Sequence, residues 1–514
     1  MDAVFELIQS MTKAEKRSFQ IFAARVKESK NIKFVALFDA MEGEKEYNEA
    51  RLLKQSGVSK LQLANTKKYL FEHLLNSLRQ LPTNNYTDIQ LHEQMDFARI
   101  LYAKGMFKQS LRLLQKAKEQ AYQHQQNTIA IEIVEFEKLI ESQFITHSSS
   151  TRADDLTRET SQLTYDIRKA NEFSNFAIQL YALYLKRGHV SNQNDIHYIE
   201  DYYNANLPKG PIQQQGVYEQ LYMNQSNYWY SFILQDFVQC YRHSQRNKML
   251  FEEHPALQQN MPVLFFKTYN HLLESLFFLR RYRSYKETLQ DLENMLPRLP
   301  TYRNTHAEVF ARSYFFAGKI NLHFLEGTFT QGLEIIPPLL QFLEQYATKI
   351  DQHDGMVFHY KIACLYFGSG DYKKCISFLN KIIDVRDEDV RSDLQCFARI
   401  LRLIATYEAG DSLMIEYQIK ATQRFLIKMN DLNVIQKEIL HFLNKTDTFF
   451  RDDLMDILQA MLTRIQAYEN HPYEKRPFLY LDIISWIESK VQNVSVQEVV
   501  QKKFKKLLSA GKFQ

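Results

Sequence analysis

The sequence predicts an all-α protein, a right-handed α-α solenoid of about ten helical hairpins that follows an N-terminal helical module. Three observations lead to this fold class. Apolar residues recur at three- and four-residue spacing along most of the chain. Glycine and proline are scarce, with 14 and 11 among 514 residues, which argues against disorder and against a β-rich fold. One short turn pattern also returns at several positions, so we expect a row of similar helix pairs.

The turn pattern is clearest in residues 356–385, MVFHYKIACLYFGSGDYKKCISFLNKIIDV. Gly370 ends the first predicted helix, because glycine reaches positive φ without a Cβ clash. Tyr372 packs back over the turn, and Cys375 is small where the two helix axes must approach closely. The pattern is therefore a glycine, an aromatic residue two positions later, a small residue at five and an apolar residue at six.

Four other positions carry this pattern. Gly105 and Gly327 follow it in full, and Gln235 follows it with the glycine replaced. Gly410 places Ile415 at the small position, so we expect that hairpin to be splayed or shifted by one residue. From Gly105 onward, the intervals between corners are 130, 92, 43 and 40 residues. They are close to three, two, one and one units of about 43 residues, a length typical of two-helix repeats.

Two of these segments, residues 356–387 and 91–121, resemble tetratricopeptide repeats. The tryptophan of that family is absent from both, and the period here is longer. The resemblance implies a tetratricopeptide-like α-solenoid that binds protein segments in its groove. The matching positions of the first segment are Ala363, Tyr366, Gly370, Asp371, Tyr372 and Cys375.

Residues 1–81 are predicted to form the separate N-terminal helical module. Thr12 and Glu15 have the spacing of a capping box, which predicts a helix from Lys13. Residues 47–81 resemble a helix-turn-helix with its turn at Gly57, and four polar side chains of the second helix could then contact phosphates and base edges. The alternative is a plain helical cap, since that helix is longer than a recognition helix needs. The candidate DNA contacts are Lys60, Gln62, Lys67 and Lys68.

Residues 87–470 are predicted to hold the repeats, which contain two candidate partner surfaces. One is an aromatic helix with interleaved amides, suited to an extended peptide; the alternative is that its rings are core. The other is a basic turn with Lys286 beside it that could hold a carboxylate or phosphate; the alternative is a solvated turn. The candidate partner-binding residues are Tyr222, Asn224, Tyr228, Trp229, Arg280, Arg281 and Arg283.

Residues 471–514 are predicted to be capping helices. An apolar helix around Trp486 is expected to dock on the last repeat. The tail, residues 501–512, is basic and amphipathic, so it could lie on an acidic membrane surface. The alternative is a capping helix whose polar face stays in water, as repeat proteins need at their ends.

Composition and motifs exclude several other classes of protein. A net charge of +4 gives no global attraction to nucleic acid or membrane. No signal peptide is evident, and the most apolar stretch, residues 262–279, contains Lys267, His271 and Glu274, so we expect a cytoplasmic protein without a transmembrane segment. The four cysteines lack metal-ligand spacing and no catalytic motif occurs. We therefore expect no enzyme activity, no cofactor and no metal.

Two functions remain for such a chain. The first is a non-catalytic protein-interaction scaffold that binds a protein or peptide segment in the solenoid groove. The alternative is a transcriptional regulator in which residues 47–81 bind DNA and the tetratricopeptide-like part senses a partner.

Overall fold

The all-α prediction is confirmed: the structure, a computed structural model, contains helices and no strand in the residues that it describes. The chain divides into two compact units, residues 1–160 and 161–514. The sequence-based boundaries at 81 and 471 stay predictions. The described residues are 2–25, 32–44, 46–81, 87–143, 151–209, 216–299, 304–385, 391–411, 415–429, 431–445, 453–469, 471, 474–475, 477–480 and 482–509.

In the first unit, five helices pack around a core that includes Phe19, Phe38 and Leu70. The predicted capping box is confirmed, because the backbone N–H of Thr12 donates to Glu15 at 2.7 Å and the N–H of Glu15 donates to the threonine hydroxyl at 3.2 Å. Three further helices pack one against the next. The helices are α1 Ala3–Ser10, α2 Lys13–Arg25, α3 Ile32–Gly43, α4 Glu49–Ser56, α5 Lys60–Arg79, α6 Thr87–Ala103, α7 Phe107–Gln123 and α8 Asn127–Gln143.

A long helix, α9, begins before the division and ends after it. The second unit then continues with helices of very different length, and short 3-10 segments, Leu296–Arg298 and Leu333–Ile335, lie between some of them. The helices are α9 Arg152–Arg187, α10 Gln193–Asn206, α11 Val217–Ile233, α12 Phe237–Glu253, α13 Pro255–Asn260, α14 Pro262–Phe278, α15 Tyr282–Met295, α16 Thr305–Glu326, α17 Phe329–Gly332, α18 Ile336–Gln345, α19 Gln352–Ser369, α20 Tyr372–Ile383, α21 Ser392–Glu408, α22 Ile415–Lys428, α23 Val434–Lys445, α24 Asp453–Gln466, α25 Pro477–Tyr480, α26 Ile483–Gln492 and α27 Val496–Ser509.

Helices of the second unit pack mainly against their neighbours in the chain. α11 packs on α12, α14 on α15, α19 on α20 and α21 on α22. Each pair also meets the next, through α12 with α14, α14 with α16 and α20 with α21. The apolar faces of α16 and the later helices share one large core that includes Leu365, Leu379 and Leu401, and Trp486 of α26 is buried in it. Residues of α11, α12, α14 and α15 form separate apolar clusters.

The predicted hairpin corners have the expected backbone conformation. φ is 75° at Gly105, 68° at Gly327, 86° at Gly370 and 74° at Gly410, and Gln235 also adopts a positive φ of 60°. All five therefore lie in the left-handed region, which costs a non-glycine residue about 1 kcal/mol. Ile415 is buried at the start of α22, while residues 412–414 of the same turn lie outside the described residues.

The small residue five positions after the corner touches the first helix of its own hairpin. The Ser110 hydroxyl donates to the carbonyl of Ala98 at 2.8 Å, and the Cys240 thiol contacts the carbonyl of Tyr228 at 3.7 Å. In both hairpins the carbonyl belongs to the residue twelve positions earlier. A larger side chain at this position would push the helices apart, which explains why the sequence pattern requires a small one.

A further corner at Arg280 escaped the sequence pattern. Arg280 has a φ of 53° and lies 45 residues after Gln235 and 47 before Gly327. Five positions later the small residue is replaced by Tyr285, which is fully buried and donates to the carbonyl of Gly318 at 2.8 Å. A Cβ on Gly318 would lie 2.7 Å from a methyl carbon of Leu289. The glycine in α16 therefore allows Leu289, one turn after Tyr285, to pack closely against it.

Replacing Gly368 by alanine is expected to destabilise the second unit. The new Cβ would lie 2.3 Å from the ring of Phe329, which is itself buried. Such overpacking costs roughly 1–3 kcal/mol, so the Gly368→Ala variant should melt at a lower temperature than the parent protein. Gly355→Ala is the matched control, because its Cβ meets nothing within 4 Å in the same helix and should add up to about 1 kcal/mol. Equal melting temperatures for the two variants would contradict the close packing of Phe329 on Gly368.

Candidate functional site

Three polar side chains lie on one face of α14, an otherwise apolar helix. Lys267, His271 and Glu274 are spaced by four and three residues, which places them on the same side of the helix. His271 is buried and the other two are half-buried. Ionisable groups in such surroundings are expensive unless other polar groups meet them, so their neighbours decide what this face can do.

Neighbouring helices bring further charges to this face. Asp354 and Lys361 come from α19, and Asp351 caps the same helix. Arg391 precedes α21. Each of these groups shifts the pKa of another member of the set by its charge. We call this set the charged cluster; its members are Lys267, Glu274, Asp351, Asp354, Lys361 and Arg391.

Several members are held by hydrogen bonds within the protein. The Tyr228 hydroxyl donates to Glu274 at 3.1 Å, and Lys361 Nζ donates to Asn321 Oδ1 at 2.5 Å. Burial raises the pKa of Glu274, although the charge of Lys361 acts in the opposite direction. Burial also lowers the pKa of Lys361. Arg391 Nε lies 2.8 Å from Asp393 Oδ1, so this guanidinium is neutralised by its own neighbour.

Lys267 and Asp354 are held differently. The Lys267 ammonium lies 4.9 Å above the ring of Tyr181 and makes no ion pair within 4.0 Å with any acidic group in the described part of the chain. Burial lowers its pKa, although Asp354 raises it. The side chain of Asp354 is 41% exposed, and its nearest basic group is His353, 4.0 Å away. An unneutralised cation and an unneutralised anion therefore share one half-buried surface.

The environment of Asp354 disfavours its charge. Its pKa is raised to about 6, first by burial and then by the neighbouring charge of Asp351. Lys267 and Arg391 oppose this shift without cancelling it. His353 has its pKa lowered to about 4 by burial and by Arg391, so it is neutral at pH 7. A ligand group that donates hydrogen bonds to Asp354 would favour its charged form.

The predicted aromatic helix, α11, lies beside the charged cluster. Tyr228 is 1% exposed and stacks on His271 with ring centroids 3.8 Å apart. Trp229 is 5% exposed and packs 4.5 Å from the ring of Tyr181. Asn224 is buried and Tyr222 is half-buried. The rings of Tyr228 and Trp229 thus pack within the chain, which agrees with the alternative that the rings of this helix are core. A role for these four residues in partner binding stays a prediction.

The predicted basic turn lies at the corner between α14 and α15. Arg280, Arg281 and Arg283 are all exposed. Arg281 lies 5.1 Å above the ring of Tyr241, and the described residues provide no acidic partner within 4.0 Å of the three guanidinium groups. These charges remain available to a ligand.

In the first unit a turn at Gly57 joins α4 to α5, and the assignment of these helices as a helix-turn-helix stays a prediction. Gly57 ends α4 with a φ of 67°, and Val58 and Leu63 are buried. Of the predicted DNA contacts, Lys60, Gln62 and Lys68 are exposed on α5. Lys67 is not: its Nζ donates to Asp2 at 2.7 Å and to the Tyr47 hydroxyl at 2.6 Å, which occupies the ammonium within the module. Gln62 also accepts a hydrogen bond from Lys33 at 2.8 Å.

Sequence reasoning did not single out the charged cluster. Its members are spread from residue 267 to residue 391 and meet only because consecutive helix pairs pack together. The sequence feature that could have indicated the cluster is the polar set Lys267, His271 and Glu274 in the apolar stretch 262–279. Polar residues spaced by one helical turn in such a stretch indicate a polar face that meets other polar groups.

The stability of the protein should depend on pH through Asp354. A carboxyl with a pKa raised to about 6 in the folded state stabilises the fold at low pH and loses that contribution as pH rises through 6. Asp354→Asn should therefore raise the melting temperature relative to the parent at pH 7.5, and should raise it less at pH 4. Thermal melts of both proteins at the two pH values measure the difference.

Asp371→Asn is the control for this pH effect. Burial alone would raise the pKa of Asp371, but hydrogen bonds and charge from Lys374 outweigh burial and lower it. The linkage then has the opposite sign, with stability present at neutral pH and lost on acidification. A gain in melting temperature at pH 7.5 in this variant as well would refute the argument for Asp354.

Lys67→Met should destabilise the first unit. The Lys67 side chain is 15% exposed, and its ammonium joins Asp2, the N-cap of α1, to Tyr47. Removing it leaves two polar partners unsatisfied, which costs roughly 1–3 kcal/mol and should lower the melting temperature. Lys68→Met, an exposed neighbour on the same helix, should change stability by less than about 0.5 kcal/mol. Equal losses of melting temperature in the two variants would contradict a stabilising role for the contacts of Lys67.

Among the described residues no group of three or more His, Cys, Asp or Glu side chains could hold a metal ion. No helix in the described ranges is long and apolar enough to cross a membrane. Comparison with models of known protein families, with curated protein sequences and with solved structures found no match. The proposed function therefore depends on the geometry of the charged cluster and of the exposed basic segments.

Proposed function

We propose that the protein is a non-catalytic interaction scaffold, a tetratricopeptide-like α-solenoid of the cytoplasm that binds a protein or peptide segment over the charged cluster. The recurring corners at Gln235, Arg280, Gly327, Gly370 and Gly410 support a repeat architecture, since they follow one another at intervals of 40 to 47 residues. The helices that carry or adjoin the cluster, α14, α19 and α21, each begin a pair, and stacked repeats create extended concave surfaces for binding.

The single observation that carries this proposal is the pair of unneutralised charges, Lys267 and Asp354. Each is partly removed from water, and neither has an ion-pair partner within 4.0 Å apart from the neutral His353 at that limit. A half-buried charge is stabilised when a ligand supplies the missing hydrogen bonds. An extended peptide can supply both, because its carbonyl groups accept from an ammonium and its N–H groups donate to a carboxylate.

The surroundings of this pair suit a peptide. Tyr181 and Tyr314 are half-buried at the same surface, and burial raises the pKa of both, so they are neutral hydroxyl donors. Tyrosine beside charged groups is typical of the centre of protein interfaces. The packed rings of Tyr228 and Trp229 fix the position of His271 behind this surface.

Binding can be tested with short peptides selected by display on the full-length protein. The double variant Lys267→Ala with Asp354→Asn should bind them at least about tenfold more weakly, since two charge-assisted contacts are lost. Its affinity is measured by fluorescence anisotropy with labelled peptide.

The matched control removes an exposed acid–base pair elsewhere, Glu416→Gln with Lys420→Ala, whose charged atoms lie 2.6 Å apart on α22. The control should bind as the parent protein does. If the two double variants bind alike, the charged cluster is not the binding surface.

DNA binding by the first unit is the second candidate function. The observation in its favour is that Lys60, Gln62 and Lys68 are exposed on α5, which follows the turn at Gly57. Retardation of duplex DNA by the full chain should then weaken steeply with salt and be reduced by Lys60→Glu with Lys68→Glu. Undiminished retardation by this variant would remove α5 as the DNA contact.

A further inference from the structure

The C-terminal helix α27 folds back onto a hairpin far away in the sequence. It packs on α16 and α19. The Gln501 side chain donates to the carbonyl of Gly327 at 3.1 Å, and the backbone N–H of Thr330 donates to the Gln497 side chain at 2.9 Å. A Cβ at Gly327 would lie 2.7 Å from the backbone nitrogen of Gln501. The helix is therefore fitted closely to this corner.

The apolar face of α27 is used in this docking. Val499 and Val500 are buried. Phe504 is half-buried and meets the ring of Tyr282 edge-on, with centroids 4.9 Å apart. Because these side chains pack on the protein, the apolar face of the docked helix is largely unavailable for insertion into a membrane, although Leu508 is 46% exposed.

The contact between Tyr282 and Phe504 brings two basic segments next to each other. Tyr282 sits inside the basic turn at the start of α15, and Phe504 sits among the lysines of α27. The Tyr282 hydroxyl also donates to Glu326 at 2.6 Å, which occupies the nearby acid. We call the combined set the basic surface; it consists of Arg280, Arg281, Arg283, Lys286, Lys502, Lys505 and Lys506.

Every member of the basic surface is exposed. In the described part of the chain none of the seven has a carboxylate within 4.0 Å. Lys503, one turn from Lys506, differs, because it pairs with Glu488 at 2.8 Å and donates to the Ser485 hydroxyl at the same distance. The unpaired charges are thus concentrated on the outer side of the docked helix and on the adjoining turn.

We infer that the basic surface binds the phosphate backbone of double-stranded nucleic acid, without preference for base sequence. Seven free cations match the roughly six to ten phosphate contacts that give firm electrostatic binding to a duplex. Three of them are arginines, whose planar guanidinium groups bind phosphate through two hydrogen bonds.

Other polyanions fit this surface less well. A protein partner usually meets an apolar centre surrounded by polar groups, whereas here the apolar side chains Val499, Val500 and Phe504 face the protein core or Tyr282. Single strands are bound by stacking of bases on exposed rings, and the rings of Tyr282 and Phe504 pack on each other. A duplex requires neither feature.

Fluorescence anisotropy of the full chain with labelled duplexes of about 25 base pairs tests this inference. DNA and RNA duplexes should both bind, with affinity that falls steeply as salt is raised and no gain for a single strand. The triple variant Lys502→Glu, Lys505→Glu, Lys506→Glu should bind at least about tenfold more weakly and lower the slope of log affinity against log salt by about three. The double variant Arg281→Glu, Arg283→Glu should lower the slope by about two.

The control is a triple variant with the same change of net charge at exposed residues of other helices: Lys373→Glu, Arg424→Glu and Lys437→Glu. It should bind nearly as the parent does, and all variants should keep the melting temperature of the parent. Equal losses in the control and in the triple variant would overturn the inference, as would the absence of binding at about 20 mM salt. Equally tight binding of a polyglutamate peptide, or tighter binding of vesicles of anionic lipid, would assign the surface to a different polyanion.

Peptide binding over the charged cluster involves residues that do not belong to the basic surface. Either proposal can therefore be refuted without refuting the other. Loss of duplex binding only in Lys60→Glu with Lys68→Glu would place the nucleic-acid contact on α5 and refute the basic surface.

Discussion

The close approach of paired helices at each corner is the constraint on which the helix pairs of both units depend. A residue in the left-handed region turns the chain, and five positions later a small side chain lets the second helix approach the backbone of the first, as Ser110 and Cys240 do. Once the pair is closed, its remaining apolar side chains face the next pair. The positions of the charged groups then follow from the order in which the helices pack.

The sequence was a good guide wherever contacts are local. Gly105, Gly327, Gly370 and Gly410 adopt the positive φ that was expected of them, and the capping box at Thr12 forms as predicted. The corner at Arg280 was missed because it breaks three requirements together, having arginine in place of glycine, Tyr285 in place of a small residue and Lys286 in place of an apolar one. The contact of Tyr285 with the carbonyl of Gly318 reaches into the following pair of helices. No rule confined to one hairpin could have found it.

Functional surfaces were harder to predict for the same reason. The aromatic residues around Trp229 were noticed because they are close in sequence, yet Tyr228 and Trp229 are packed inside. Lys267 and Asp354 are 87 residues apart and become neighbours only through helix packing. The basic turn and the basic tail were each evident in the sequence, whereas their meeting depends on the contact between Tyr282 and Phe504. Sequence patterns thus identified charged segments without showing which of them come together.

The return of α27 to the Gly327 corner has a consequence for how the chain acquires its structure. The hydrogen bond between Gln501 and Gly327 joins residues 174 positions apart, while most other helix pairs close over short loops. During synthesis the hairpins from α16 onward can form as they leave the ribosome, since domains and their local elements fold from the N-terminus first. The corner at Gly327 stays uncovered until α27 has been synthesised. Chains that end before α27 would therefore leave the apolar surface at the Gly327 corner exposed. Quality-control proteases and chaperones could recognise that surface.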